Sequence, residues 1–317
     1  MSKIVYLGTL SAKHLEKIHT TLPERWEIVH GKEEQWLPHL EGAEIIIGWN
    51  NKAAEACLKP NTRLKWIQNW GAGVDRMPLA DMAAYGVALT NASGVHAYPI
   101  SETIFSMMLA FARNLHQSIR NQERNDWKST GALREIHGAT MGVVGVGAIG
   151  EETARLGKAF GMTVLGVRRS GEQAPNVDRM FRHDGLGEVL RMSDFVVNTL
   201  PHTTETHRMF GKQQFAWMKP SAYYINIGRG GTTDTEAMIE ALRSGEIAGA
   251  GLDVFEQEPL PKDSPLWGMD NVLITPHNSG STVHYDDRAL DIFLENLQAY
   301  LGTGQPSRNV VDIQKQY

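Results

Sequence analysis

Short apolar runs alternate with segments of helical period along most of this chain. In the first third the runs are Ile4–Leu7, Glu44–Gly48, Lys65–Asn69 and Val87–Thr90, and the segments between them are Ala12–Thr20, Lys52–Cys57 and Pro78–Tyr85. Runs bounded by Gly, Asn and Thr predict buried parallel strands, and the alternation predicts an α/β architecture. From Ser101 a longer helix is predicted, with Ile104, Met108, Phe111 and Leu115 spaced along one face. Its methionines read as core or interface packing. The polar stretch Asn121–Gly138, which contains Trp127, reads as an extended connection into a second unit.

In that unit strands are predicted at Met141–Val146, Thr163–Val167, Phe195–Thr199, Tyr223–Ile227, Ala250–Val254 and Val272–Thr275. Helices fit Ala148–Phe160, Gly187–Met192, Lys212–Met218 and Thr235–Ser244. Strands joined by helical crossovers form a doubly wound nucleotide-binding sheet. The last segment, with Leu290, Phe293, Leu294, Leu297 and Leu301, predicts an amphipathic helix. Folding back on the first unit, it makes that domain discontinuous in sequence.

Composition narrows the functions. The 317 residues are 42% hydrophobic and 21% charged, as in a soluble globular protein. The net charge is −5, and no block of like charge suggests a nucleic-acid arm or a polybasic membrane patch. Any anion must therefore be held by local groups. The single cysteine, Cys57, excludes an internal disulfide and a multi-cysteine zinc site, and it suits a reducing compartment. The first apolar stretch is too short for a signal sequence, and no run approaches the ~18 residues of a membrane span. The expectation is a cytoplasmic protein with no membrane, nucleic-acid or metal partner.

Gly145-Val146-Gly147-Ala148-Ile149-Gly150 is a G-x-G-x-x-G placed between a strand and a helix. Gly145 allows the tight turn, Gly147 lets a pyrophosphate approach the backbone, and Gly150 lets the helix sit close to the sheet. The helix N-terminus offers N–H groups and partial positive charge. An NAD-type unit carries Asp or Glu ~20 residues on, to bind the ribose 2′-OH. Here the strand ends in Arg168-Arg169-Ser170. A carboxylate repels a 2′-phosphate, whereas guanidinium and hydroxyl groups bind it. NADP(H) is expected over NAD(H).

Three polar residues follow predicted strands: Arg229 after YYINIG, Glu258 beyond GLDVF, and His277 after NVLITP. Ligands of open α/β sheets sit at the carboxyl ends of the strands. The set suits holding an acid and moving a proton, although spacing leaves open whether the three meet.

The motifs resemble those of the D-specific 2-hydroxyacid dehydrogenases, the group with glyoxylate/hydroxypyruvate reductases and phosphoglycerate dehydrogenases. The resemblance covers nearly the whole chain. It rests on NWGAGVD (Asn69–Asp75), NASGVHAYPISE (Asn91–Glu102), GVGAIG and LPHTTETHRMFG (Leu200–Gly211). It continues in INIGRGG (Ile225–Gly231), GAGLDVFEQEPLP (Gly249–Pro261) and ITPHNSG (Ile274–Gly280).

The resemblance implies two doubly wound parallel-sheet domains. A Rossmann-type cofactor domain, residues 101–282, is inserted into a flavodoxin-like substrate domain, residues 1–100 plus 283–317. It implies that Arg229 binds the substrate carboxylate and that His277 protonates the carbonyl oxygen during reduction. Glu258 would bond His277 and favour its protonated form. Backbone N–H groups of Gly71, Ala72 and Gly73 would also bind the carboxylate. Asp253, Ser279 and Gly280 would contact the nicotinamide, with Ile227 beside the cofactor and Pro201 and Thr206 on its adenosine side.

Arg168 stands where the family commonly has an acidic residue, which supports NADPH. His96 is the one further histidine of interest. The expected function is NADPH-dependent interconversion of small 2-oxo acids, such as glyoxylate or hydroxypyruvate, with D-2-hydroxy acids. The expected assembly is a homodimer through the Ser101–Asn125 helix and the Trp127 arm. The alternative is a dinucleotide-sensing binding protein of corepressor type, against which stand the absent basic patch and low-complexity segment.

Overall fold

A computed structural model describes residues 2–74 and 76–312; Asp75, which ends the Asn69–Asp75 motif, lies outside the described residues. The chain forms two compact units, Met1–Val95 with Thr282–Tyr317, and His96–Ser281.

The first unit begins with β1 (Ser2–Tyr6), α1 (Ala12–Thr21), β2 (Trp26–Val29) and α2 (Glu33–Trp36). It continues with β3 (Ile45–Ile47), α3 (Asn51–Cys57), β4 (Trp66–Gln68), α4 (Leu79–Ala84) and β5 (Ala88–Thr90). Among the described residues it has one five-stranded parallel sheet in the order β2-β1-β3-β4-β5, the flavodoxin-like winding. Such strands are covered on both faces, so Ile45–Ile47 is apolar and buried throughout. Ser11 and Asn50 cap α1 and α3, accepting from the N–H groups of His14 and Ala53. Strand β2 is additional to the predicted strands. It lies at the sheet edge, and exposed Glu27 interrupts its apolar run.

The helix Tyr285–Thr303 returns to this unit. Its Leu290, Phe293, Leu297 and Tyr300 pack against Ile4, Ile18, Ile45 and Trp66. The Trp66 ring stacks on Phe293 and Tyr300 at centroid distances of 5.4 and 5.5 Å.

The second unit opens with α5 (Ala97–Ala112) and α6 (Leu115–Glu123). Then come β6 (Thr140–Val144), α7 (Ala148–Ala159), β7 (Thr163–Val167), β8 (Arg179–Phe181), α8 (Leu186–Met192) and β9 (Phe195–Asn198). It ends with α9 (Lys212–Trp217), β10 (Tyr223–Asn226), α10 (Thr235–Ser244), β11 (Gly249–Leu252) and β12 (Val272–Ile274). Among the described residues its parallel sheet has seven strands, ordered β12-β11-β10-β9-β6-β7-β8. The order reverses between β6 and β9, the switch point where a doubly wound sheet opens a crevice.

Two expectations change here. Helix α5 starts at Ala97, ahead of Ser101, because Pro99 sits in its first turn, where a missing N–H costs little. It ends before Leu115, since Asn114 takes a left-handed conformation at φ 49°; Leu115 opens α6 and is half exposed. Ile104, Met108 and Phe111 are buried, and Met107 and Met108 belong to the core. Strand β8 is a further addition, an edge strand whose Arg179 is exposed. Residues 126–138 carry neither helix nor strand, and Trp127 is fully exposed. Among the described residues no helix is long and apolar enough to cross a membrane.

Candidate active site

Strand register sets out the site of the second unit. Val167, Val144, Asn198, Asn226, Leu252 and Ile274 form one row across the sheet. The next residue of each strand is Arg168, Gly145, Thr199, Ile227, Asp253 and Thr275. The loops that start there, with the first turn of α7, carry the site residues expected in this unit.

Gly145 leaves β6 at φ +103°, and a Cβ there would come within 3.0 Å of the Leu200 nitrogen. The Thr199 hydroxyl donates to the Gly145 carbonyl at 2.6 Å and fixes the turn. Gly147 caps α7, and a Cβ on it would meet nothing within 4 Å. That open space lies beside Ala148, Ile149 and Gly150, whose N–H groups form the first turn of α7 and lack intrahelical partners. At Gly150 a Cβ would press on the Gly145 carbonyl at 3.0 Å. Close approach is possible where a pyrophosphate needs it, so the residues fit a dinucleotide.

Beyond β7, Arg168 donates through Nε to the Ser170 hydroxyl at 3.1 Å. Its guanidinium also meets Glu172 at 3.2 Å and Glu151 at 3.5 Å, while Arg169 pairs with Glu205 at 3.6 Å. In the loop after β9, the buried Thr206 donates its hydroxyl to the Pro201 carbonyl at 2.6 Å and accepts the Thr203 N–H at 2.8 Å. Thr206 thus shapes the loop from inside.

Arg229 follows β10 and buried Ile227, in a turn held by a buried polar network. The Thr232 hydroxyl donates to the Arg229 carbonyl at 2.6 Å, and Asn198 donates to Thr232 at 2.8 Å. Asn198 also donates to the Tyr224 hydroxyl, which pairs with Thr233 at 2.7 Å; Asn226 donates to Thr233 at 3.0 Å. Burial drives the Tyr224 phenol far above its ordinary pKa, so it stays neutral.

Asp253 is buried at the end of β11. Its carboxylate accepts from the Thr275 hydroxyl at 2.6 Å, the Asn278 N–H at 3.0 Å, and both the N–H and hydroxyl of Ser279. These bonds bracket His277, which sits at φ 49°. His277 donates from Nδ1 to Glu258 at 2.7 Å, and the other Glu258 oxygen accepts the Phe255 N–H at 3.0 Å. Nε2 is then the ring atom available to a substrate. His96 is half-buried against Gly280, where a Cβ would lie 2.5 Å from its ring. Burial, and then the Arg229 charge, lower its pKa.

Gly71, Ala72 and Gly73 belong to the first unit, in the loop after β4. Asn69 donates to the carbonyls of Gly71 and Gly73 at 3.0 and 2.9 Å, and Asn91 to that of Ala72 at 2.8 Å. Trp70 is anchored by Asp286, which accepts its indole N–H at 3.0 Å, and by the Tyr285 hydroxyl on its carbonyl.

The structure therefore joins Glu258 to His277, Asp253 to Ser279, Arg168 to Ser170 and Pro201 to Thr206. It places Arg229 in the turn after β10, the strand adjacent to β11, which precedes Glu258. Sequence reasoning missed the support for Arg229: Asn198, Tyr224, Asn226, Thr232 and Thr233. The usable signal was polar residues ending otherwise apolar strands. Among the described residues no group of three or more His, Cys, Asp or Glu side chains could hold a metal ion.

Residues 105–279 match the family model described as D-isomer specific 2-hydroxyacid dehydrogenase, NAD binding domain. The chain is 39% identical over 288 residues to a glyoxylate/hydroxypyruvate reductase B of Pectobacterium carotovorum, covering 87% of this chain and 88% of that protein. It is 32% identical over 287 residues to a D-3-phosphoglycerate dehydrogenase of Methanocaldococcus jannaschii, covering 89% of this chain but 54% of that longer protein. A solved structure of an NADPH-dependent glyoxylate/hydroxypyruvate reductase from Sinorhizobium meliloti, in complex with NADP and sulfate, superposes with a TM-score of 0.82. The two share 28% identity, with all of each chain covered.

Proposed function

The chain belongs to the D-isomer specific 2-hydroxyacid dehydrogenase family, and from that premise we propose an NADPH-dependent reductase of small 2-oxo acids, such as glyoxylate or hydroxypyruvate. The observation that carries this reading is the 2.7 Å bond between His277 and Glu258, in loops that leave the same end of the sheet as the turn of Arg229. Arg229 binds the substrate carboxylate through its planar fork. In the first unit, the N–H groups of Gly71, Ala72 and Gly73, whose carbonyls are tied to amide side chains, are the candidate carboxylate-binding groups. His277 gives the proton on Nε2 to the carbonyl oxygen, and Glu258, bonded to Nδ1, holds the ring in place. In the reverse direction the neutral ring takes that proton back.

The cofactor, when bound, supplies the hydride that adds to substrate C2. Gly145, Gly147, Ala148, Ile149 and Gly150 hold its pyrophosphate, and Pro201 and Thr206 shape the adenosine side. Ile227, Asp253, Ser279 and Gly280 border the nicotinamide. Arg168, Arg169 and Ser170 bind the 2′-phosphate, which is the basis for NADPH over NADH. The test is oxidation of NADPH and NADH by the purified protein against a panel of 2-oxo acids, repeated with Arg168→Asp. The expected result is NADPH-dependent turnover, with the preference lost in the variant. NADPH binding without turnover on any 2-oxo acid would favour a dinucleotide sensor.

The assembly we propose is a homodimer built on α5, α6 and the exposed Trp127; Leu115 and Ile119 of α6 are half exposed. Light scattering giving a monomer mass would overturn it. The single buried cysteine suits a cytoplasmic location, which cell fractionation would test.

A further inference from the structure

The turn after β7 carries a carboxylate that the cofactor reading leaves without a task. Gly171, at φ +70°, donates its N–H to the Arg168 carbonyl at 3.1 Å, and the chain doubles back there. Glu172 is thereby returned over the strand end. One Glu172 oxygen lies 3.2 Å from the Arg168 guanidinium and 3.5 Å from the Ser170 hydroxyl. The Glu172 N–H also donates to the Ser170 hydroxyl, at 3.2 Å. A guanidinium edge with a neighbouring hydroxyl is the donor set a phosphate monoester takes. Glu172 engages both from within the chain.

Charge points the same way. Arg168 and Arg169 are met by Glu151, Glu172 and Glu205 within 3.2–3.6 Å, and a third arginine, Arg182, donates through Nε to the Ser170 carbonyl at 3.2 Å. An arriving phosphate does not meet a free cationic pocket. Of the three carboxylates, Glu172 alone touches both Arg168 and Ser170, and its side chain is 74% exposed. A monovalent, exposed carboxylate holds these donors loosely. A phosphate dianion, with more oxygens and more charge, displaces it. A ribose hydroxyl does not.

We propose that Glu172 is an internal competitor for the cofactor 2′-phosphate, occupying Arg168 and Ser170 in the free protein and thereby limiting the preference for NADPH over NADH. The inference rests on the reading of Arg168 and Ser170 as the 2′-phosphate site. In the free protein Glu172 keeps the guanidinium paired and oriented. On NADPH binding that pair is broken, which weakens the measured affinity.

The test is calorimetric titration of the full chain with NADPH and with NADH, comparing the unmodified protein with Glu172→Gln, Glu172→Asp and Arg168→Ala. Removing an exposed pair of this kind is expected to tighten NADPH by about two- to fivefold in Glu172→Gln, with NADH not tightened. Glu172→Asp, which keeps the charge on a shorter arm, should fall between. An NADPH affinity unchanged or weakened in Glu172→Gln, while Arg168→Ala still loses the NADPH preference, overturns the competitor role and leaves the phosphate site standing. If the unmodified protein binds both cofactors alike and Arg168→Ala changes neither, the site reading itself fails and the competitor falls with it.

Discussion

Asp253 and Ser279 are joined twice, the carboxylate accepting both the backbone N–H and the hydroxyl of the serine. With the bonds from Thr275 and Asn278, this clamps the backbone on both sides of His277. Asp253→Asn sets an amide NH₂ against backbone N–H groups of Asn278 and Ser279, which can only donate. The expected result is a loss of about 1–3 kcal/mol in unfolding free energy by urea titration. In steady-state assays kcat should fall by more than KM rises, since a loosened His277 misplaces the proton and not the substrate.

The proton path gives its own test. His277→Gln should lower kcat by about two to four orders of magnitude. Arg229→Lys should raise the KM for the 2-oxo acid roughly tenfold or more, because the planar fork is lost. Cofactor affinity, measured by titration without substrate, should be unchanged in both.

Much of this architecture could be read beforehand, for identifiable reasons. A central parallel strand such as Ile45–Ile47 has no solvent face, so its apolar run is unbroken. The edge strands β2 and β8 expose Glu27 and Arg179 and have no such run, which is why they escaped notice. The turn at Gly145 was legible because only a residue without Cβ fits there. The network under Arg229 was not, because Thr232 lies in a turn 34 residues beyond Asn198, and only the folded turn after β10 brings its hydroxyl onto the end of β9. Glu172 stayed hidden because an acidic residue in a turn is ordinary, and only the reversal at Gly171 sets it on Arg168.

The two glycines of the nucleotide turn should separate stability from binding. Gly145→Ala combines a positive φ with contact on the Leu200 backbone, so thermal unfolding should shift down markedly. Gly147→Ala meets open space at φ −114°, so the melting temperature should hold. Its methyl group, however, takes room needed by the pyrophosphate. NADPH affinity should fall at least tenfold by calorimetric titration.

Tyr224→Phe removes the hydroxyl that accepts from Asn198 and pairs with Thr233. Leaving those buried groups short of a partner should cost about 1–3 kcal/mol, read by urea unfolding. Because the same network holds the Arg229 carbonyl, the KM for the 2-oxo acid should rise while the KM for NADPH stays level.

Acid should weaken the fold partly through His96. Its pKa is lowered below the ordinary 6.5, so below that pH the unfolded chain binds a proton that the folded chain declines. This contribution to stability is present above pH 6.5 and is lost as pH falls toward the folded pKa. Urea unfolding at a series of pH values should show a shallower acid loss in His96→Gln than in the unmodified protein.

The return of the helix Tyr285–Thr303 to the first unit has a consequence for the order of biosynthesis. Residues 96–281 are continuous, and their sheet can be completed as soon as β12 has left the ribosome. The earlier-made strands cannot finish their core by then. Ile4, Ile18 and Trp66 wait for Leu290, Phe293 and Leu297, which are translated after the whole of residues 96–281. A nascent chain arrested before residue 285 would therefore present an apolar sheet face to chaperones, and residues 96–281 would be folded before residues 1–95.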